Sequence, residues 1–104
     1  MLTIEQIRER IAGGYYEFSR HAFRRVVERN ISDTEIRQAS AMAQLIEDYP
    51  HDKYSPSCLL LGFTLMGRPL HMQVSRAEMP VVKIITLYEP ENRDWLQGYK
   101  VRRK

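Results

Sequence analysis

His21, Arg25 and Arg29 stand four residues apart in the segment from Ser19 to Arg29. On a helix that spacing stacks them along one polar side, where an imidazole and two guanidiniums could address successive anionic groups. Imidazole exchanges protons near neutral pH and guanidinium forks grip phosphate oxygens, so the row suits chemistry on phosphate esters. The same residues also fit a solvated outer helix face, and the spacing alone leaves both readings open.

A second group of candidates lies further along. In Arg68-Pro69-Leu70-His71-Met72-Gln73-Val74, strand alternation sets His71 beside Gln73, opposite Leu70 and Met72. A histidine on a polar sheet face can act as general base or acid, or can make one structural hydrogen bond. Tyr88, Arg68, Arg102 and Arg103 complete the pool. His51 falls in the loop segment Tyr49-Pro50-His51-Asp52-Lys53 and is expected to face water. Three histidines without a carboxylate at ligand spacing make no recognisable metal site, and no glycine-rich loop fits a phosphate cradle, so neither metal nor cofactor is expected. The one cysteine, Cys58, excludes an intramolecular disulfide, and beside Leu59-Leu60-Leu61 it reads as a small buried hydrophobe. The side-chain types suit metal-free RNA cleavage. A base takes the ribose 2'-hydroxyl proton, an acid protonates the leaving oxygen, and arginine stabilises the charged phosphorane. The catalytic candidates are His21, His71 and Tyr88; the phosphate-binding candidates are Arg25, Arg29, Arg68, Arg102 and Arg103.

Positioning these groups falls to one domain, because 104 residues support a single modest core. With 43% hydrophobic and 28% charged residues, the composition is that of a folded globular chain rather than a disordered or membrane-spanning one. The N-terminal residues carry acidic groups and lack a basic stretch followed by an apolar one, so no secretory signal is read and a cytoplasmic location is expected. A net charge of +3, a pI near 9.2 and arginine well ahead of lysine favour nucleic acid or another polyanion as partner.

Ile4, Ile7 and Ile11 recur at helical intervals from about Thr3 to Ala12, and Gly13-Gly14 supplies the stop. Tyr15 to Phe18 fits a brief strand. Ser19 caps the helix that carries His21, which Ala22, Phe23, Val26 and Val27 should pin to the core and Asn30 should end. Ser32 and Glu35 form a capping box for a third helix, expected to run through Ile36, Ala39, Ala43 and Ile46 towards Pro50. Its small residues Ala39, Ser40 and Ala43 would allow close packing. Strands then follow at about Cys58–Leu65, Pro69–Val74 and Val81–Tyr88, an antiparallel meander. Unbroken alternation in the last strand would send Val82, Ile84, Thr86 and Tyr88 to one face. The expected architecture is α+β: a helical part over 3–49, a meander over 57–89 with the helices on one face and the other free as a working surface, and a tail over 90–104 anchored by Trp95.

Three blocks together resemble a bacterial family of unknown function, DUF4258: His21-Ala22 with Arg25, Arg29 and Ile31; Tyr49-Pro50 through Tyr54-Ser55-Pro56-Ser57-Cys58 to Gly62, with Arg68-Pro69-Leu70-His71; and Ile85-Thr86-Leu87-Tyr88-Glu89-Pro90 with Trp95. The resemblance runs from about Phe18 to Arg103. Asn30 stands where a glycine is common, and it tolerates the same left-handed cap. The resemblance implies the fold of RelE-like ribonuclease toxins and a small zinc-finger, helix-turn-helix antitoxin as partner. The leading expectation is therefore a toxin-like messenger-RNA endonuclease, with a homodimer left open and no membrane involved. The alternatives are a non-catalytic basic module that binds nucleic acid or an acidic protein, and a structural partner that uses Trp95 and the Tyr88 strand as an interface.

Overall fold

Hydroxyl caps set three helix starts. In the computed structural model, which describes residues 1–103, α1 (Ile4–Ala12) begins at Thr3, whose side chain accepts from the Gln6 N–H while Gln6 caps back. Ser19 caps α2 (Arg20–Glu28) by accepting from the Ala22 N–H, and Ser32 with Glu35 forms the reciprocal box of α3 (Asp33–Ala41). Left-handed residues close the first two helices: Gly14 at φ 87° after α1 and Asn30 at φ 53° after α2. Lys104, the last residue of the expected tail, lies outside the described residues.

The strands are β1 (Tyr16–Phe18), β2 (Gln44–Tyr49), β3 (Ser57–Phe63), β4 (Pro69–Ser75) and β5 (Val82–Tyr88), in the sheet order β1-β5-β4-β3-β2. β2, β3, β4 and β5 pair antiparallel in sequence, whereas β1 joins β5 in parallel, so the sheet is mixed and the fold is α+β. The third helix stops at Ala41, short of the expected Pro50. Residues 44–49 form β2 instead, because Leu45 pairs with Leu60 and Tyr49 with Ser57 along the exposed edge of β3. Ala43 and Ile46 fit a helical period, but the hydrogen bonds available from β3 outweigh that local preference.

A register shift corrects the face assignment in β5. Gln73 pairs with Thr86 but Val74 with Ile84, leaving Ile85 as the extra residue of a bulge. Val82, Ile84 and Leu87 therefore point to the core, while Thr86 and Tyr88 cross to the face that carries His71 and Gln73.

The core lies between the helices and one sheet face. It joins Ile7 and Ile11 of α1, Ala22 of α2, and Ile36 and Ala39 of α3 to Leu60, Leu70, Met72, Val74, Ile84 and Leu87 of the sheet. On α2 the expected stripe is only half used: Ala22 is buried and Val26 packs at the margin, but Phe23 and Val27 are exposed. The opposite sheet face is not wholly free. A hairpin of β6 (Trp95–Leu96) and β7 (Val101–Arg102) folds over it, and Trp95 is buried against His71.

α3 touches β3 so closely that a Cβ on Gly62 would lie 1.9 Å from the Ala39 carbonyl oxygen. Backbone cannot yield as a flexible side chain does. Gly62→Ala should therefore cost about 3 kcal/mol of stability in a urea melt; an unchanged midpoint would show that the contact is loose.

Candidate functional site

α2 is fixed at its start to the bulge of β5. The Ser19 hydroxyl that caps the helix also donates to the Ile85 carbonyl at 2.7 Å, and the Ser19 N–H donates to Ile84 at 3.0 Å. The row of His21, Arg25 and Arg29 then runs beside β5 and the start of the tail. Arg25 meets Glu28 only at 3.7 Å and half-exposed, a weak pair. Among the described residues, His21 and Arg29 have no carboxylate partner.

This row lines a concavity of about 380 Å³, whose other wall is Thr86 and Tyr88 of β5 with Arg93 and Trp95 of the tail, interspersed with the carboxylates Glu89, Glu91 and Asp94. A second concavity of about 520 Å³ adjoins it, sharing Tyr88, Arg93, Asp94 and Trp95 and adding Arg102 and Arg103. Six of the eight sequence candidates thus line one continuous groove: His21, Arg25, Arg29, Tyr88, Arg102 and Arg103.

His71 lies behind the groove wall with no exposed surface. Its Nε2 is 2.8 Å from the Tyr99 carbonyl oxygen, and since a carbonyl only accepts, Nε2 carries the proton. Nδ1, 3.0 Å from the Tyr88 hydroxyl, is then the acceptor of that hydroxyl's proton. Trp95 stands edge-on to the imidazole with centroids 4.3 Å apart, and Arg102 sits 4.8 Å from the Trp95 ring centre. Burial, opposed by the Tyr99 hydrogen bond, pulls the His71 pKa down to about 4, and burial pushes the Tyr88 hydroxyl up to about 12. His71 is therefore neutral at pH 7 and reaches the groove only through Tyr88.

Arg68 is committed to the fold instead of the groove. Its Nε donates to Glu89 at 2.6 Å, Nη1 to Glu35 and to the Asn30 carbonyl, and Nη2 to the Arg29 carbonyl at 2.8 Å. Arg102 is shared: its guanidinium makes a two-pronged contact with Glu47 at 2.9–3.1 Å while its flank lines the groove. Hydrogen bonds from Arg102 and Tyr49 hold the Glu47 carboxyl below its ordinary value despite its burial. Arg103 donates from Nε to the Asn92 carbonyl. Sequence reasoning missed Arg93, which lines both concavities with its side chain 78% exposed and close to Glu91. Its only signal was a charged tail. Trp95, the expected anchor of the tail, is also a groove wall.

No group of three histidine, cysteine or acidic side chains that could hold a metal ion occurs among the described residues. Burial raises the Cys58 thiol to about 11, which leaves it unreactive at neutral pH. Among the described residues, no helix is long and apolar enough to cross a membrane.

The model of one family, a domain of unknown function (DUF4258), matches residues 18–89. The chain belongs to the DUF4258 family. No curated protein and no solved structure matches it. The DUF4258 match begins at the last residue of β1 and contains α2, α3 and β2 to β5, and with them His21, Arg25, Arg29, Arg68, His71 and Tyr88. It ends at Glu89, so the hairpin that covers His71 and supplies Arg93, Trp95, Arg102 and Arg103 lies beyond the DUF4258 match, which is shorter than the resemblance read from sequence.

Burial of a neutral His71 has a pH consequence. The unfolded imidazole binds a proton near pH 6.5 and the folded one only near pH 4, so acidification through that window favours unfolding. Urea stability should fall by about 3 kcal/mol from pH 7 to pH 4 on this account, and His71→Asn should remove that slope. Glu35 and Glu47, held below their ordinary values, add a loss of the same sign only below about pH 4.5. An equal slope in wild type and variant would place the titration elsewhere.

Proposed function

We propose that this chain is a metal-independent, toxin-like endoribonuclease of the cytoplasm that holds messenger RNA along the groove between α2 and the tail hairpin. The observation that carries the reading is the convergence of His21, Arg25, Arg29, Tyr88, Arg102 and Arg103 on that groove. Guanidiniums supply bidentate phosphate contacts, and Tyr88 with Trp95 offers aromatic surface of the kind on which unpaired bases stack.

His21, exposed on the helix, takes the proton of a ribose 2'-hydroxyl. The 2'-oxygen bonds to phosphorus as the bond to the 5'-oxygen breaks, and Arg25 and Arg29 balance the charge on the phosphorane. Tyr88 turns its hydroxyl proton from His71 to the leaving oxygen, and solvent relays the proton from His21 back to Tyr88. The products are a 2',3'-cyclic phosphate and a 5'-hydroxyl. His71 becomes a positioning residue for Tyr88 rather than the base. The RelE-like fold and the zinc-finger, helix-turn-helix antitoxin as partner, which the resemblance to DUF4258 implies, belong to the same proposal.

The second reading, a basic module that binds RNA without cutting it, is favoured by one observation: the imidazole best placed in the sheet, His71, has no access to solvent. Purified protein incubated with messenger RNA, alone and on ribosomes, separates the two. Cleavage with cyclic-phosphate ends is expected. His21→Ala should lower its rate by about 100-fold or more with little change in RNA affinity. Arg25→Ala should weaken binding and reduce the salt slope by about 1. Binding without cleavage would leave the second reading, and no binding would sink both.

A further inference from the structure

We propose that the open half of the sheet face holds a base-recognition pocket selective for guanine. The pocket is a concavity of about 540 Å³ beyond the end of the tail hairpin's cover, walled by Asp52, Tyr54, Gln73 and Lys83. It shares no lining residue with the groove but neighbours it along two elements. Ser19 and Ile85 line the pocket, while His21 and Thr86, two residues and one residue further along the same elements, line the groove. The Ser19–Ile85 hydrogen bond marks the junction.

Its polar groups are oriented in advance. Ser57, fully buried, donates to Asp52 Oδ2 at 2.6 Å, and the Lys53 N–H donates to Oδ1 at 2.8 Å. Gln73 Nε2 donates to the Ser57 hydroxyl at 3.2 Å and to Asp52 Oδ2 at 3.4 Å, and its carbonyl oxygen has no donor among the described residues. Asp52 has no cationic partner among the described residues either. A fixed carboxylate beside a spare carbonyl asks for a ligand with adjacent N–H donors. Guanine alone of the four RNA bases presents two on its pairing edge, N1–H and N2–H2, next to the O6 acceptor. Lys83, held only loosely by Glu17 at 3.8 Å, is a donor for that oxygen. Tyr54, 89% exposed, is available to stack on the base.

The occupant's being a nucleotide rests on the RNA reading above, but the test reads the pocket alone. The four ribonucleoside 5'-monophosphates are titrated separately into isotope-labelled full chain and followed by amide chemical shifts. GMP should shift Asp52, Tyr54, Gln73 and Lys83 and bind at least tenfold more tightly than AMP, CMP or UMP. Asp52→Asn should abolish that preference. Tyr54→Ala, a change at an exposed side chain that leaves the fold alone, should weaken GMP at least threefold. Equal affinities, shifts confined to the His21 groove, or no shifts would overturn the pocket while leaving RNA binding by Arg25 to stand or fall separately. GMP bound here by a protein that binds no RNA would keep the pocket and discard the RNA reading.

Discussion

The Arg68 guanidinium ties together three segments that are distant in sequence. It donates to the Arg29 and Asn30 carbonyls at the end of α2, to Glu35 in the first turn of α3, and to Glu89 just after β5. Helix ends leave carbonyls without partners inside the helix and carry partial negative charge, so a cation placed there satisfies both needs. With Ser19 fixing the other end of α2 to the β5 bulge, the helix is held at both ends against one strand. The groove depends on that clamp, because His21, Arg25 and Arg29 face Tyr88 only while α2 keeps its place beside β5.

The tail adds the second wall and changes the chemistry of the first. Trp95 and the Tyr99 carbonyl close over His71, and the Arg102–Glu47 pair fastens the hairpin to β2. A histidine that alternation places on an open polar face thereby becomes a neutral, buried acceptor for Tyr88. In the proposed reaction, proton transfer in the groove therefore falls to His21, on the opposite wall.

Local chemistry was legible in the sequence. The caps at Ser19 and Ser32 and the left-handed stop at Asn30 all act within a few residues, and the α2 row follows from helical spacing alone. Features decided by partners far along the chain were not. Residues 44–49 carry a pattern compatible with helix or strand, and only pairing with β3 decides it. The Ile85 bulge inverts the faces of β5 after it, which a strict period of two cannot reveal. Arg68 reads as one more surface cation until the fold brings Glu35, Glu89 and two helix-end carbonyls around it. Arg93 gives no local signal because its role comes from where the hairpin folds.

The most direct test of the groove is chemical-shift mapping with a short messenger-like RNA whose 2'-hydroxyls are methylated, so that it binds without being cut. Perturbations should trace His21, Arg25 and Arg29, cross Tyr88 and the Trp95 indole, and reach Arg102. Perturbations absent from α2 and Trp95, or gathered instead on the outer side of α1 and α3, would contradict the account.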